Sequence, residues 1–235
     1  MRNGARVEIG VKAPGMAEPA WQWATVGCVA RAHDDRRYFI TARHAVGDIY
    51  RHPPPYDLAT CEINMRTKGQ VFRCASVVRP QAATVSGCVV DAVAITLPEG
   101  VVPDVEPGRK VVQGGELPAF EGLPGFALVD RNGDPAFLSG TIRLIPSGVS
   151  RIINYQGEKY EVVLPPLVRL DFSDPKRSTE SGDSGAPILS DALGPEIGLL
   201  GFHFYEDYED HDEDKPYSLA TAAYWVLDTT HLDTS

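Results

Sequence analysis

Apolar residues in this chain gather in short strand-like runs that are cut by Gly, Pro and Asn-Gly turn signals. The runs predict strands over Trp23–Ala30, Tyr38–Thr41, Glu62–Met65, Gln70–Val78, Ala92–Leu97, Gly125–Asp130, Gly140–Ile145, Glu161–Val163, Val168–Phe172, Ala186–Leu189 and Ile197–Phe204. Helical periodicity is nearly absent until Ala222–Thr230, which reads as a closing helix. Regular short strands of this kind point to an all-β architecture of paired barrels, with the Pro- and Gly-rich piece Pro98–Pro118 as their connector. Apart from that implied duplication there is no internal repeat, and no low-complexity linker leads to another module.

Composition narrows the function classes. The 235 residues, 43% of them hydrophobic, can bury the core of two medium domains or of one large all-β unit. No run approaches the roughly 18 apolar residues of a membrane helix, so no membrane partner is expected. A net charge of −10 opposes sequence-independent nucleic-acid binding, which needs clustered Lys and Arg. Between Met1 and Ala20 the charges Arg2, Arg6, Glu8, Lys12 and Glu18 interrupt the apolar pieces, unlike the continuous core of a secretory signal. The expected location is therefore the cytoplasm, where Cys28, Cys61, Cys74 and Cys88 read as buried thiols. Their spacing fits no zinc pattern, and neither a metal nor another cofactor is expected.

Candidate chemistry centres on Ser181-Gly182-Asp183-Ser184-Gly185-Ala186-Pro187. A serine in a glycine-flanked turn can present its hydroxyl and its backbone N–H to one point, and the amides of Gly182 and Ser184 would then form an oxyanion hole. Each such donor is worth about 2.7–4 kcal/mol of barrier. A tight turn between strands uses the same residue types. Acyl transfer additionally needs a base and a carboxylate to orient it. Tyr38-Phe39-Ile40-Thr41-Ala42-Arg43-His44 runs as a strand that delivers His44 at its end, and Asp91 heads the strand Ala92–Leu97. Asp57 is a rival orienter, ranked below Asp91 because it follows so soon after His44.

The Thr-Ala-x-His segment ending at His44, the Asp-x-Ala segment opening at Asp91 and Gly182-Asp183-Ser184-Gly185 lie in one order, and together they resemble the trypsin-like (chymotrypsin-fold) serine peptidases over most of the chain. The resemblance implies two packed antiparallel six-stranded β-barrels with a short C-terminal helix. Residues 1–100 would form the N-terminal barrel with His44 and Asp91, and residues 115–235 the C-terminal barrel with Ser184, the whole being one peptidase unit. It implies a serine endopeptidase acting on protein or peptide substrates with His44, Asp91 and Ser184 as the triad. Secreted members bridge a cysteine placed directly after the catalytic histidine to one on the preceding strand; Cys28 matches the second, but Ala45 stands at the first, so that bridge is absent.

In trypsin-like zymogens the Asp before the nucleophile pairs with a new amino terminus. Asp183 holds that place, so either a processed amino terminus or an internal Arg, Lys or backbone donor must meet it; the internal route is favoured, with Arg131, Arg151 and Arg177 as candidates, and an activating partner protein is a separate expectation. Ser178 replaces the aspartate that trypsins use to bind Lys or Arg. Ser178-Thr179 and Gly201-Phe202-His203-Phe204 are similar instead to pocket segments of the glutamyl endopeptidases, which implies that Ser178, Thr179 and His203 bind an acidic side chain. The alternative for His203 is an ordinary buried histidine. The run Glu206–Asp214 reads as a solvated acidic loop, with weak Ca²⁺ binding or a preference for basic residues away from the cut as further options. The competing functional class is a degenerate peptidase fold that binds a peptide or regulates a partner without turnover.

Overall fold

The computed structural model describes residues 1–46, 58–78, 91–104, 109–146, 150–155, 158–163, 165–174, 176–205 and 216–234. Eight strands make the N-terminal half: β1 (Arg6–Lys12), β2 (Ala20–Thr25), β3 (Cys28–Arg31), β4 (Arg37–Thr41), β5 (Glu62–Thr67), β6 (Gln70–Cys74), β7 (Val77–Val78) and β8 (Val93–Thr96). The expected strand Trp23–Ala30 is bent at Val26-Gly27 into β2 and β3, and Gln70–Val78 is bent after Cys74 into β6 and β7. Through those two bends the antiparallel pairing runs β1, β2/β3, β4, β8, β7/β6, β5 and back to β1, which closes the barrel.

The C-terminal half holds β9 (Arg109–Val111), β10 (Pro124–Arg131), β11 (Asp134–Ile145), β12 (Ser150–Tyr155), β13 (Glu158–Val163), β14 (Leu167–Phe172), β15 (Pro187–Ser190), β16 (Ile197–Tyr205) and β17 (Tyr217–Ala222). Six of these close a second barrel in the order β15, β10, β11, β14, β17, β16, with β15 and β16 completing the ring. β9, inside the expected connector, adds in parallel to the start of β16, while β12 and β13 form a separate hairpin. The helix α1 (Ala223–Thr230) follows, one residue shorter than expected. None of the described helices is long and apolar enough to cross a membrane.

Strand alternation explains how the barrels pack. Successive side chains of a strand point to opposite faces. Phe39 of β4 and Val93 and Ile95 of β8 accordingly fill the N-terminal barrel, while Tyr38, Ile40 and Ala94 face the other way, against the C-terminal barrel. Ala127 and Val129 of β10 fill the C-terminal barrel, and Leu128 between them joins the shared core. Ala223, Val226 and Leu227 cover that shared core from α1. Beyond the helix, Arg31 and Asp233 exchange two backbone hydrogen bonds, which ties the end of the chain to β3.

Cys28, Cys61 and Cys74 are thiols; Cys88 lies outside the described residues, as do Asp57 and the acidic run. Burial pushes the Cys28 and Cys74 thiols up to about 12, so both behave as apolar packing groups.

Candidate active site

Antiparallel pairing of β4 with β8 matches Thr41 with Val93, so the residues just after β4 and just before β8 emerge at the same barrel edge. There the chain takes a 3-10 turn over Arg43–Val46 that buries Ala45 and Val46 in the barrel. His44 is left with its side chain 17% exposed beside Asp91, whose side chain is 2% exposed. Asp91 accepts the His44 backbone N–H on Oδ1 at 2.9 Å, and its Oδ2 lies 2.7 Å from Nδ1. One carboxylate thus fixes both the backbone and the ring. Burial disfavours the charged imidazole, but the charge of Asp91 and its hydrogen bond outweigh that cost and raise the His44 pKa above its usual value.

Ser184 sits in a compact turn in which Asp183 N–H donates to Glu180 O at 2.9 Å and Ala186 N–H donates to Asp183 O at 2.8 Å. Gly182 and Gly185 have φ of +96° and +98°, a region costly for any side chain. At Gly185 a Cβ would also stand 2.2 Å from Thr25 O, so the two barrels' backbones touch at this point. Thr25 fastens the turn to the N-terminal barrel: its N–H donates to Ser184 O at 2.7 Å and its Oγ1 to Gly182 O at 2.8 Å. Thr41 Oγ1 donates in turn to Thr25 O at 2.9 Å, three residues before His44. Among the described residues the backbone N–H groups of Gly182 and Ser184 have no acceptor, and no hydrogen bond joins Ser184 Oγ to His44.

Asp183 is fully buried and answers the question of its partner. Arg131 grips it with both Nη1 and Nη2 at 2.7 Å, and Glu180 N–H donates to it at 2.9 Å. The geometry comes from a two-residue turn: Asn132 and Gly133 at φ of 59° and 95° let β10 reverse into β11, leaving Arg131 at the strand's tip. Arg2 ties the same tip down through Asp130 and Gly133 O, each at 2.9 Å. Of the other two candidates, Arg177 bonds Phe137 O instead, at 3.5 Å.

In the expected pocket segments, Ser178 offers its carbonyl to Arg131 at 3.4 Å. Thr179 is buried, and its Oγ1 has no hydrogen-bond partner among the described residues. His203 is buried, with Nδ1 2.6 Å from Ser218 Oγ and a further hydrogen bond to the Leu219 backbone. Burial pulls its pKa down to about 4, opposed by the charge of Asp183, so the ring is neutral at neutral pH. His203 also feels the charges of His44 and Asp91, which places all three within electrostatic reach of one another. Sequence reasoning missed Thr25, Ser218 and Arg6, whose Nη2 donates to Ser181 O at 2.9 Å. The local signal for Thr25 was Gly27, a glycine inside a strand pattern, where a Cβ would meet Phe202 and Gly185 O.

Two closed barrels with these residues at their junction are the fold of the chymotrypsin-like serine proteases. Thermobifida fusca protease A superposes with a TM-score of 0.56 at 13% identity, covering 99% of this chain and 98% of that one. Nocardiopsis protease superposes at 0.54 and 13% identity, with 95% of each chain covered. HL collagenase superposes at 0.55 and 14% identity, covering 97% and 94%. No protein-family model matches the chain, and no curated protein matches it in sequence.

Proposed function

We propose that the chain is a serine endopeptidase that cleaves peptide bonds through an acyl-enzyme. The observation that carries this reading is the double grip of Asp91 on His44, beside a Gly-Asp-Ser-Gly turn. Asp91 accepts a hydrogen bond from Nδ1–H, which leaves the Nε2 lone pair of His44 to take the proton of Ser184 Oγ as that oxygen attacks the carbonyl carbon. The oxyanion that forms is met by the N–H groups of Gly182 and Ser184. On collapse the C–N bond breaks, His44 returns the proton to the leaving amine, and water then repeats the sequence to release the acid and restore Ser184. No metal or other cofactor enters these steps. A fluorophosphonate probe should label the native protein at Ser184, with labelling and peptide hydrolysis lost in Ser184→Ala while folding is kept. A folded native protein that stays unlabelled and inert would establish the competing reading, a peptide-binding module without turnover.

At the cut position an acidic side chain is the favoured occupant, since Thr179 Oγ1 is a buried hydroxyl with no partner among the described residues. His203 supports the site as a neutral imidazole held by Ser218, because a ring with a pKa of about 4 carries no charge near neutrality. The preference for Glu over Gln should therefore stay level between about pH 6 and 8, where the glutamate is ionised throughout. A preference that climbs as the pH falls through that range would show a charged imidazole at work, and a peptide-library profile favouring Lys, Arg or Phe would remove the assignment. The thiol state of Cys28, Cys61 and Cys74 suits a reducing compartment, the cytoplasm being the one proposed.

A further inference from the structure

We propose that Arg6 of β1 is a positioning residue for the oxyanion hole: it holds the Ser181–Gly182 peptide in the orientation that aims the Gly182 N–H at the reacting carbonyl. The inference rests on the reading of Ser184 as the nucleophile.

The need for such a residue follows from the turn itself. Glycine adopts either sign of φ at little cost, so the peptide before Gly182 can swing about the ψ of Ser181 and the φ of Gly182. Because a trans peptide is planar, with C=O and N–H pointing in opposite directions, whatever captures the Ser181 carbonyl also decides where the Gly182 N–H points. Arg6 captures it, donating from Nη2 at 2.9 Å. The other donor is set the same way but locally: the Asp183 carbonyl accepts from Ala186 N–H at 2.8 Å, which orients the N–H of Ser184. Both of these amide hydrogens are left without an acceptor among the described residues.

Two further contacts make Arg6 a fixed prop. Its guanidinium stacks over the Trp23 ring with Cζ 4.7 Å from the ring centre. It also lies flat against the Cα of Gly182, where an added Cβ would stand 2.6 Å from Nη2, 2.8 Å from Nε and 2.9 Å from Cζ. Gly182 therefore serves twice, by its positive φ and by giving the guanidinium room. The Gly182 carbonyl on the next peptide is pinned by Thr25 Oγ1 at 2.8 Å, so the N-terminal barrel holds the peptides on both sides of this glycine.

The test compares Arg6→Ala and Arg6→Lys with the native protein on one peptide substrate. Arg6→Ala should lower kcat by about 10- to 100-fold, less than the roughly 10²–10³ lost when an oxyanion donor is deleted outright, because the unheld peptide still samples the productive orientation. KM should stay within about twofold, since the donor acts on the transition state. Affinity for a peptide aldehyde, whose adduct carries the oxyanion, should fall by the same factor as kcat, and added guanidinium ion should restore part of both. Uncleaved peptide should bind Ser184→Ala equally well with and without the Arg6→Ala change. Arg6→Lys keeps a cationic donor and should retain more kcat than the alanine variant; if the alanine variant does not fold, a kcat loss at constant KM in the lysine variant supports the role and a loss confined to KM overturns it. Folded variants with native kcat, or with lower kcat and unaltered aldehyde affinity, overturn it as well. A native protein that no fluorophosphonate labels would instead take down the reading of the site itself.

Discussion

Asp91→Asn is expected to lower kcat by roughly four orders of magnitude, the loss known when a triad carboxylate becomes an amide. The amide can still accept the His44 backbone N–H, now at 2.9 Å on Asp91 Oδ1, so the 3-10 turn should hold its shape. With its NH₂ turned to the ring, however, it donates to Nδ1 and forces the proton onto Nε2, the atom that must receive the Ser184 proton. The pH profile gives a second reading. In the native protein Asp91 raises the His44 pKa against the opposing effect of burial, so kcat/KM should fall on acidification with a midpoint above the ordinary 6.5. Without the carboxylate the burial cost remains and its compensation is gone, so the residual activity should show that limb at lower pH. Steady-state kinetics across pH decides the matter: a variant keeping a tenth of native kcat would mean that another group orients His44, and Asp57→Asn is the comparison to run beside it.

Arg131→Met is expected to destabilise the protein by about 3–5 kcal/mol, because it strands a carboxylate that has no exposure to water. The methionine fills much of the stem's volume but offers nothing to Asp183, and the remaining Glu180 N–H satisfies one oxygen at most. The half-exposed pair of Arg131 with Glu180, where the glutamate side chain is 59% exposed, contributes little to that figure. Urea denaturation measures the change. The double variant Arg131→Met with Asp183→Asn should regain most of the loss, since it removes the orphaned charge, and its failure to do so would show that Arg131 acts by packing. Activity should fall with stability in the single variant, as Asp183 shapes the turn that carries Ser184.

Much of the barrel scaffold was legible because buried strands announce themselves by apolar runs and by turn residues. β4, β8, β10 and β16 lie where those runs predict, and Asn132-Gly133 marks its hairpin by the positive φ that both residues adopt. β1 escaped notice although Arg6-Val7-Glu8-Ile9-Gly10-Val11-Lys12 alternates charged or small residues with apolar ones, since its charges were weighed against a leader rather than against a two-residue period. β17 is buried at all six positions and built largely of small residues, which leaves no alternation to detect. Within the site, short segments carried His44, Asp91 and Ser184 because each stands in a recognisable local context. Arg6 and Thr25 do not: they meet Ser181 and Gly182 across 175 and 157 residues of chain, and only the closed barrels bring them there. The three arginines offered for Asp183 were separable only once the hairpin placed Arg131, and the protonation of His203 only once its burial was known.

The clasp that Thr25 makes on the nucleophile turn has a consequence for how the protein guards itself during synthesis. The serine turn lies in the final quarter of the sequence, and the groups that orient it belong to strands made earlier. On the proposed reading neither half holds a working site by itself, so a growing or half-docked chain has no competent nucleophile to turn on its neighbours. On that same reading, catalytic power arrives together with the docked pair of barrels and leaves when they part, which makes the seam between them a safety catch.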